Sequence, residues 1–143
     1  MKKPPDLERS LADLTLAIGL VVRRVRAASG NQELSLGESA VLGRLARGGP
    51  ATTAELARAE SVRPQSMRTT VAALAARGLV ERLPHPTDRR QIPIQLTPLG
   101  AATRQRIQDA RHTWLARAVS GLDPRDQETL FAAGAILKRL AER

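Results

Sequence analysis

The chain has 143 residues, of which 42% are hydrophobic and 26% charged, a balance typical of one folded domain. It contains no cysteine, which excludes disulfides, thiolate metal sites, cysteine nucleophiles and cysteine redox switches. The formal net charge is +9, and the densest excess, six basic against two acidic residues, falls in residues 61–97, as binding to nucleic-acid phosphates requires.

The N-terminus places basic residues before an apolar stretch, which superficially resembles a signal peptide. However, Asp6, Glu8 and Asp13 interrupt the stretch, and no small-residue cleavage site follows it. No apolar run approaches the roughly 18 residues of a membrane span. We therefore expect a cytoplasmic protein that makes no use of a membrane.

The first predicted helix runs from about Asp6 to Ala28. Apolar residues recur in it at three- and four-residue steps, as in an amphipathic helix. They are Leu7, Leu11, Leu14, Ile18, Val21, Val22 and Val25. A helix of this length spans about 35 Å, which is long for so small a domain, so its apolar stripe needs a partner. A second copy of the chain is the simplest one.

The second and third predicted helices both begin with capping-box spacing. Ser35 is followed by Glu38, and Thr52 by Glu55. The buried face of the second helix is predicted to comprise Leu36, Ala40, Val41, Leu45 and Ala46. Residues 51–53, between the two helices, are a candidate strand.

A fourth helix is predicted from Pro64, which suits a first helical turn, to the residues before Gly78, which suits a helix end. Its expected buried face is Met67, Val71, Leu74 and Ala75. Its other faces carry a compact polar set near the N-terminus, which is Gln65, Ser66, Arg68 and Thr69. A short helix, a turn and this helix together indicate a helix-turn-helix.

Two predicted strands follow, at residues 79–83 and 92–97, around a basic loop. After them, Thr97 caps and Pro98 begins a fifth helix that ends near residue 120, and Asp123 and Pro124 begin a sixth. The apolar stripe of the fifth helix is predicted as Leu99, Ala102, Ile107, Ala110, Trp114 and Ala118. That of the sixth is predicted as Leu130, Phe131, Gly134, Leu137, Leu140 and Ala141.

The predicted fold class is therefore mainly α with a small β-hairpin, having six helices and two to three short strands. We expect residues 1–143 to form a single domain. Within it, a winged helix-turn-helix lobe spans about 35–97, and helices at about 6–30 and 98–143 flank it. The flanking helices are assigned to dimerisation.

Three motifs occur in order and at fixed spacing: RGLVER at residues 77–82, DRR at residues 88–90 and LTPLG at residues 96–100. Together with the flanking helices, they make nearly the whole chain resemble the multiple-antibiotic-resistance regulator (MarR) family. The resemblance implies a homodimer that binds pseudo-palindromic double-stranded DNA and usually represses transcription. It also implies release of DNA when a small aromatic or lipophilic effector binds.

The resemblance assigns DNA contacts to the start of the fourth helix. The contact set is Arg63, Pro64, Gln65, Ser66, Arg68, Thr69 and Thr70. Within it, Arg63 and Thr70 are candidate phosphate contacts. Glutamine can pair with adenine and arginine with guanine through two hydrogen bonds each, whereas hydroxyl groups suit bases or phosphates.

The resemblance assigns the basic loop to a wing. Arg89 or Arg90 would enter the minor groove or bind its phosphates, and Asp88 would orient an arginine through a charge-assisted hydrogen bond. An ordinary solvated hairpin tip is the alternative. His85 beside Asp88 lacks a third ligand nearby, so we expect no metal site.

The candidate effector-binding residues are Arg23, His112 and Trp114. The alternatives are a packed interface for His112 and Trp114 and a solvated helix face for Arg23. Only Trp114 and Phe131 are aromatic, which is few for a pocket that stacks phenolic ligands.

No nucleophilic triad, metal-ligand cluster or phosphate-binding glycine loop occurs, so we expect neither an enzyme nor a cofactor. The leading hypothesis is a sequence-specific, ligand-responsive homodimeric repressor. The alternative is a sequence-tolerant architectural DNA-binding protein that uses the same surface.

Overall fold

The computed structural model describes residues 6–30, 34–84 and 92–143. The chain-order elements in these ranges are α1 (Leu7–Ala27), α2 (Leu36–Gly48), β1 (Ala51–Thr52), α3 (Thr53–Ala59), α4 (Pro64–Ala76), β2 (Val80–Arg82), β3 (Pro93–Leu96), α5 (Pro98–Ser120) and α6 (Pro124–Ala141). The predicted fold class of six helices with a small sheet is confirmed.

The described chain forms two compact units. One contains α1, α6 and the part of α5 from Ala110 onward. The other contains α2 to β3 together with α5 up to Asp109. Helix α5 is continuous through both units, and its first twelve residues belong to the unit that holds the helix-turn-helix.

The hydrophobic core of the second unit is built mainly from α2, α3, α4 and the sheet. Its largest fully buried side chains are Leu42, Leu56, Leu74, Ile94, Val41 and Val71. The predicted burial of Val41 and Leu45 in α2 and of Met67, Val71 and Leu74 in α4 is confirmed.

The predicted buried faces of α2 and α4 are partly wrong. Leu36 is 69% exposed because it is the first residue of α2, more than a turn before the core contacts begin at Val41. Ala46 and Ala75 are exposed as well. Leu42, which the prediction omitted, is completely buried, so the inward arc of α2 is rotated by about one residue from the expected one.

The predicted helix caps are confirmed. The Glu38 N–H donates to Ser35 Oγ, and the Ser35 N–H donates to Glu38 Oε1, both at 3.1 Å. In the same way, the Glu55 N–H donates to Thr52 Oγ1 at 3.1 Å at the start of α3. These bonds satisfy N–H groups that have no partner within the helix and define where each helix begins.

The sheet is antiparallel, with strand order β1-β3-β2. The candidate strand at residues 51–53 is present as β1, in which Ala51 pairs with Ile94. On the other side of β3, Arg82 of β2 also pairs with Ile94. The Ile94 side chain is buried, so the middle strand holds the sheet against the helices.

The stripe predicted for α5 is confirmed at Ile107, which is buried, and is wrong at Leu99, Ala102 and Ala118, which are exposed. The buried residues of α5 are Gly100, Thr103 and Ile107, whereas Leu99 is 50% exposed. Glycine and threonine do not count as apolar in a helical pattern, so the pattern predicts burial at Leu99 and Ala102, one residue before Gly100 and Thr103. At Gly100 the backbone of Leu79 packs directly against α5, where a large side chain would not fit.

The first unit exposes much apolar surface. Neither α1 nor α6 has a buried residue. The predicted α1 stripe from Leu7 to Val22 is between 41% and 68% exposed at its members. Within the described ranges, no helix combines the length and apolarity that crossing a bilayer requires.

Candidate nucleic-acid interface

A four-residue turn joins α3 to α4. The Val62 N–H donates to the Ala57 carbonyl at 3.0 Å, and the Ser61 N–H donates to the Arg58 carbonyl at 3.2 Å. Arg44 of α2 supports the turn by pairing with Glu60 and donating to the Ala59 carbonyl at 2.9 Å. The turn is therefore fixed by its own backbone hydrogen bonds to α3 and by the Arg44 side chain of α2.

Ser61 adopts a left-handed backbone conformation, with φ of 54°. This conformation costs a residue with a Cβ about 1–2 kcal/mol, a cost that glycine avoids. We expect Ser61→Gly to raise the free energy of unfolding by about 1 kcal/mol, measured by urea denaturation. As a control, Ala72→Gly in the right-handed α4 should lower it by about 1 kcal/mol. Equal signs for the two changes would contradict this account.

The exposed side of α4 brings the predicted contact residues together. Met67, Val71 and Leu74 face the core, which leaves a polar set exposed at the N-terminal half of the helix. The exposed set is Arg63, Pro64, Gln65, Ser66, Arg68 and Thr69. Because one face is anchored by buried side chains, the opposite face is presented on a rigid scaffold, as groove reading requires.

The two threonines differ from the rest of this set. Thr69 Oγ1 donates to the Gln65 carbonyl at 3.2 Å, and Thr70 Oγ1 donates to the Ser66 carbonyl at 3.1 Å. Their hydroxyl protons are thus engaged by the helix, and their oxygens remain acceptors. Phosphate oxygens only accept, so these hydroxyls suit base amino groups better than phosphates. Thr70 is also half-buried, beside α2.

The C-terminal end of α4 is tied to the start of α5. Gly78 has φ of 72° and ends the helix, as predicted. Thr97 Oγ1 donates to the Gly78 carbonyl at 2.6 Å and accepts from the Gly100 N–H at 3.0 Å. The Thr97 N–H also donates to the Leu79 carbonyl at 3.2 Å. One side chain therefore caps α5 and bonds to the segment that follows α4.

The proposed wing residues Asp88, Arg89 and Arg90, together with His85, lie outside the described residues. The two strands that would carry them are described, and they pair in the register Val80 with Leu96 and Arg82 with Ile94. The predicted DNA contacts of the loop stay predictions.

Two further arginines, neither of them among the predicted DNA contacts, share a cleft with Arg68. Arg58 of α3 and Arg82 of β2 line this cleft of about 430 Å³ between α3, the start of α4 and the sheet. We call it the arginine cleft and define it by Arg58, Arg68 and Arg82. The three come from separate elements. Arg68 and Arg82 lie in the basic stretch of residues 61–97, whereas Arg58 lies outside it and in no motif.

The three candidate effector residues are not brought to one cleft. His112 lines an apolar cleft of about 360 Å³ with Leu115, Val119 and Phe131, and neither Arg23 nor Trp114 is among its lining residues. Trp114 instead lies under Arg24, whose guanidinium carbon is 6.0 Å from the ring centroid. In residues 6–30, 34–84 and 92–143, no group of three His, Asp or Glu side chains could hold a metal.

Comparisons with known proteins agree with this geometry. Residues 33–91 match a sequence model of the MarR family. A helix-turn-helix (HTH)-type transcriptional regulator of Mycobacterium bovis is 34% identical over 134 residues, which cover 94% of each chain. The HTH-type transcriptional repressor NicR of Pseudomonas putida is 44% identical over 54 residues, 38% of this chain and 34% of NicR. The crystal structure of a putative transcriptional regulator from Pseudomonas aeruginosa has a TM-score of 0.83 and 29% identity, with 98% of this chain and 99% of that chain covered.

Proposed function

The chain belongs to the MarR family of transcriptional regulators, and on that premise we propose that it is a homodimeric repressor acting on DNA in the cytoplasm. It binds a pseudo-palindromic operator and leaves it when a small aromatic or lipophilic ligand binds. The observation that carries the proposal is the exposed polar face of α4, which is anchored from behind by Met67, Val71 and Leu74.

The exposed α1 stripe supports the homodimer. A continuous line of half-exposed leucine, isoleucine and valine side chains is unfavourable in water, and burying it stabilises by about 25 cal/mol per Å². Two copies would present two α4 helices to successive major grooves about 34 Å apart. The pseudo-palindrome of the operator follows from the two-fold symmetry of such a dimer.

Different observations support repression and ligand release. The similar protein NicR is a repressor, and a repressor acts by occupying a site that transcription needs. For release, the apolar cleft beside His112 has a size suited to a small lipophilic molecule. Such a ligand acts only if it binds more tightly to a dimer in which the α4 spacing no longer fits the operator.

Selection of bound fragments from random duplex DNA by the purified protein, followed by sequencing, tests the proposal. We expect enrichment of an inverted repeat. Gln65→Ala should then cost about 1–3 kcal/mol for the preferred fragment and relax preference at particular base positions. Gln105→Ala is the matched control, because Gln105 is exposed on α5 and bonds only to Asp109 among the described side chains.

Equal binding of all fragments would reject the repressor and favour the architectural alternative. In that case Gln65→Ala would weaken binding to every sequence to the same extent. The salt dependence would stay steep, because phosphate contacts would account for nearly all of the affinity.

A further inference from the structure

The arginine cleft concentrates positive charge from three different elements. Arg58 comes from α3, Arg68 from α4 and Arg82 from β2, and Glu55 is the acidic residue in the lining. Three positive groups and one negative group give a net charge of +2. All four residues are exposed. Ile94 of β3 and Ile92, just before it, line the cleft with them.

The positive charge in the cleft is not neutralised by the described protein. The ion pairs among the described residues lie elsewhere and join Arg44 to Glu60 and Arg77 to Glu38. None of the three cleft arginines forms an ion pair with a described carboxylate. Like charges that share a concave surface repel one another, and an anion in the cleft relieves that repulsion. A planar guanidinium group also matches two oxygens of a phosphate at once.

The position of the cleft indicates which phosphate would occupy it. One wall is the start of α4, where Pro64 and Arg68 lie one helical turn apart, and another is the sheet that carries the β2–β3 connection. If α4 lies in a major groove and the hairpin reaches the adjacent minor groove, one sugar–phosphate backbone separates those two grooves. That backbone has to pass between the helix and the hairpin, where the cleft opens.

We propose that the arginine cleft binds backbone phosphates of the DNA strand that separates these grooves, with Arg58 and Arg82 as its contact residues. This inference rests on the proposed DNA-binding function and assigns to it two residues outside the predicted contact set, of which Arg58 lies in no motif and Arg82 ends the RGLVER motif. Arg68 lies on the boundary between the phosphate cleft and the face of α4 that reads bases. Glu55 weakens the interaction, because its carboxylate repels the same phosphates.

The test measures the binding constant of the full-length protein for duplex DNA over a series of salt concentrations. In a dimer, Arg58→Gln or Arg82→Gln removes two phosphate contacts, so the slope of log K against log salt should become shallower by about two. Affinity should fall by roughly tenfold for specific and non-specific duplexes alike. The variant Arg82→Lys keeps the charge and should retain most of the slope.

Two controls separate the cleft from general charge effects. Arg125→Gln removes the same charge from α6, in the other compact unit, and should leave the slope unchanged. Glu55→Gln should strengthen binding severalfold, which is a change that damage to the fold would not produce. Thermal melting of each variant checks that the protein is folded.

The outcomes distinguish this inference from the repressor proposal. If Arg58→Gln and Arg82→Gln show the wild-type slope of log K against log salt while Gln65→Ala still alters base preference, phosphate binding in the cleft is refuted. The repressor proposal is then retained. If the wild type binds every sequence equally but the two arginine variants have a weaker salt dependence, the repressor proposal is refuted. Phosphate binding in the cleft is then retained. An equal decrease in the salt dependence of binding in Arg125→Gln would also refute phosphate binding in the cleft.

Discussion

Gly100→Ala should lower the free energy of unfolding by about 3 kcal/mol, near the upper end for an overpacked site. A Cβ at position 100 would overlap the Leu79 carbonyl oxygen and would lie 2.9 Å from the Leu79 carbonyl carbon. Both atoms belong to the backbone, so no side chain can rotate away to make room. The start of α5 would have to move away from the segment that follows α4. Urea denaturation of the two proteins measures the difference.

Gly48→Ala is the control for Gly100→Ala. Gly48 is the last residue of α2, and a Cβ there would meet nothing within 4 Å. Because alanine favours a helix more than glycine does, Gly48→Ala should be neutral or stabilising by up to about 1 kcal/mol. If Gly100→Ala were as stable as Gly48→Ala, the close approach between α5 and Leu79 would not exist in solution.

This close approach joins the segment after α4, the helix proposed to bind DNA, to the start of α5. Gly78 and Leu79 follow α4 after its C-cap residue Arg77, and Thr97 bonds to both of them. Gly100 lies in the first turn of α5, which continues into the other compact unit. The start of α5 and the segment that follows α4 are therefore held together by two hydrogen bonds and a close backbone approach.

Leu14→Glu should convert the proposed homodimer into a monomer and reduce binding to the selected operator by at least about a hundredfold. Leu14 is 45% exposed within one chain, so the carboxylate costs the fold of the subunit little. In a dimer that buries the α1 stripe, two unpaired carboxylates would be desolvated at a cost of several kcal/mol. A monomer also loses the second recognition helix and with it the advantage of two linked sites. Sedimentation measures the mass and a gel shift measures the affinity.

Arg9→Glu is the matched control on the same helix. Position 9 is rotated by about 200° from Leu7 at 100° per residue, so it lies opposite the stripe. The variant changes the charge of α1 by two units and should remain a dimer with dimer-like operator binding. A wild-type protein that sediments as a monomer, or a Leu14→Glu variant that remains a dimer, would contradict the assignment of α1 to the subunit interface.

Local chemistry explains which parts of the fold were predictable. The buried face of α4 follows from apolar residues at helical spacing, and Met67, Val71 and Leu74 indeed form it. Caps are equally local, because Ser35 and Glu38 need only be three residues apart to bond each other's backbone. In both cases a few neighbouring residues carry all the information, and no distant contact competes with it.

The buried face of α5 shows the opposite case. Its inward residues include Gly100 and Thr103, which do not look like core residues. Gly100 is required because the backbone of Leu79, 21 positions earlier in the chain, passes directly over it. Burial there is a property of two segments together. Periodicity within either segment alone could not show it.

By itself, the sequence determined the class of the protein: the six helices, the winged helix-turn-helix, the MarR family and the exposed polar face of α4. These depend on short-range spacing, on capping and on motifs that are contiguous in the chain. Only the tertiary structure brought Arg58, Arg68 and Arg82 to one cleft and joined Thr97 to Gly78 at the end of α4. The physical reason is that both features depend on the distance between segments that are separate in the chain. The packing of the folded core determines that distance.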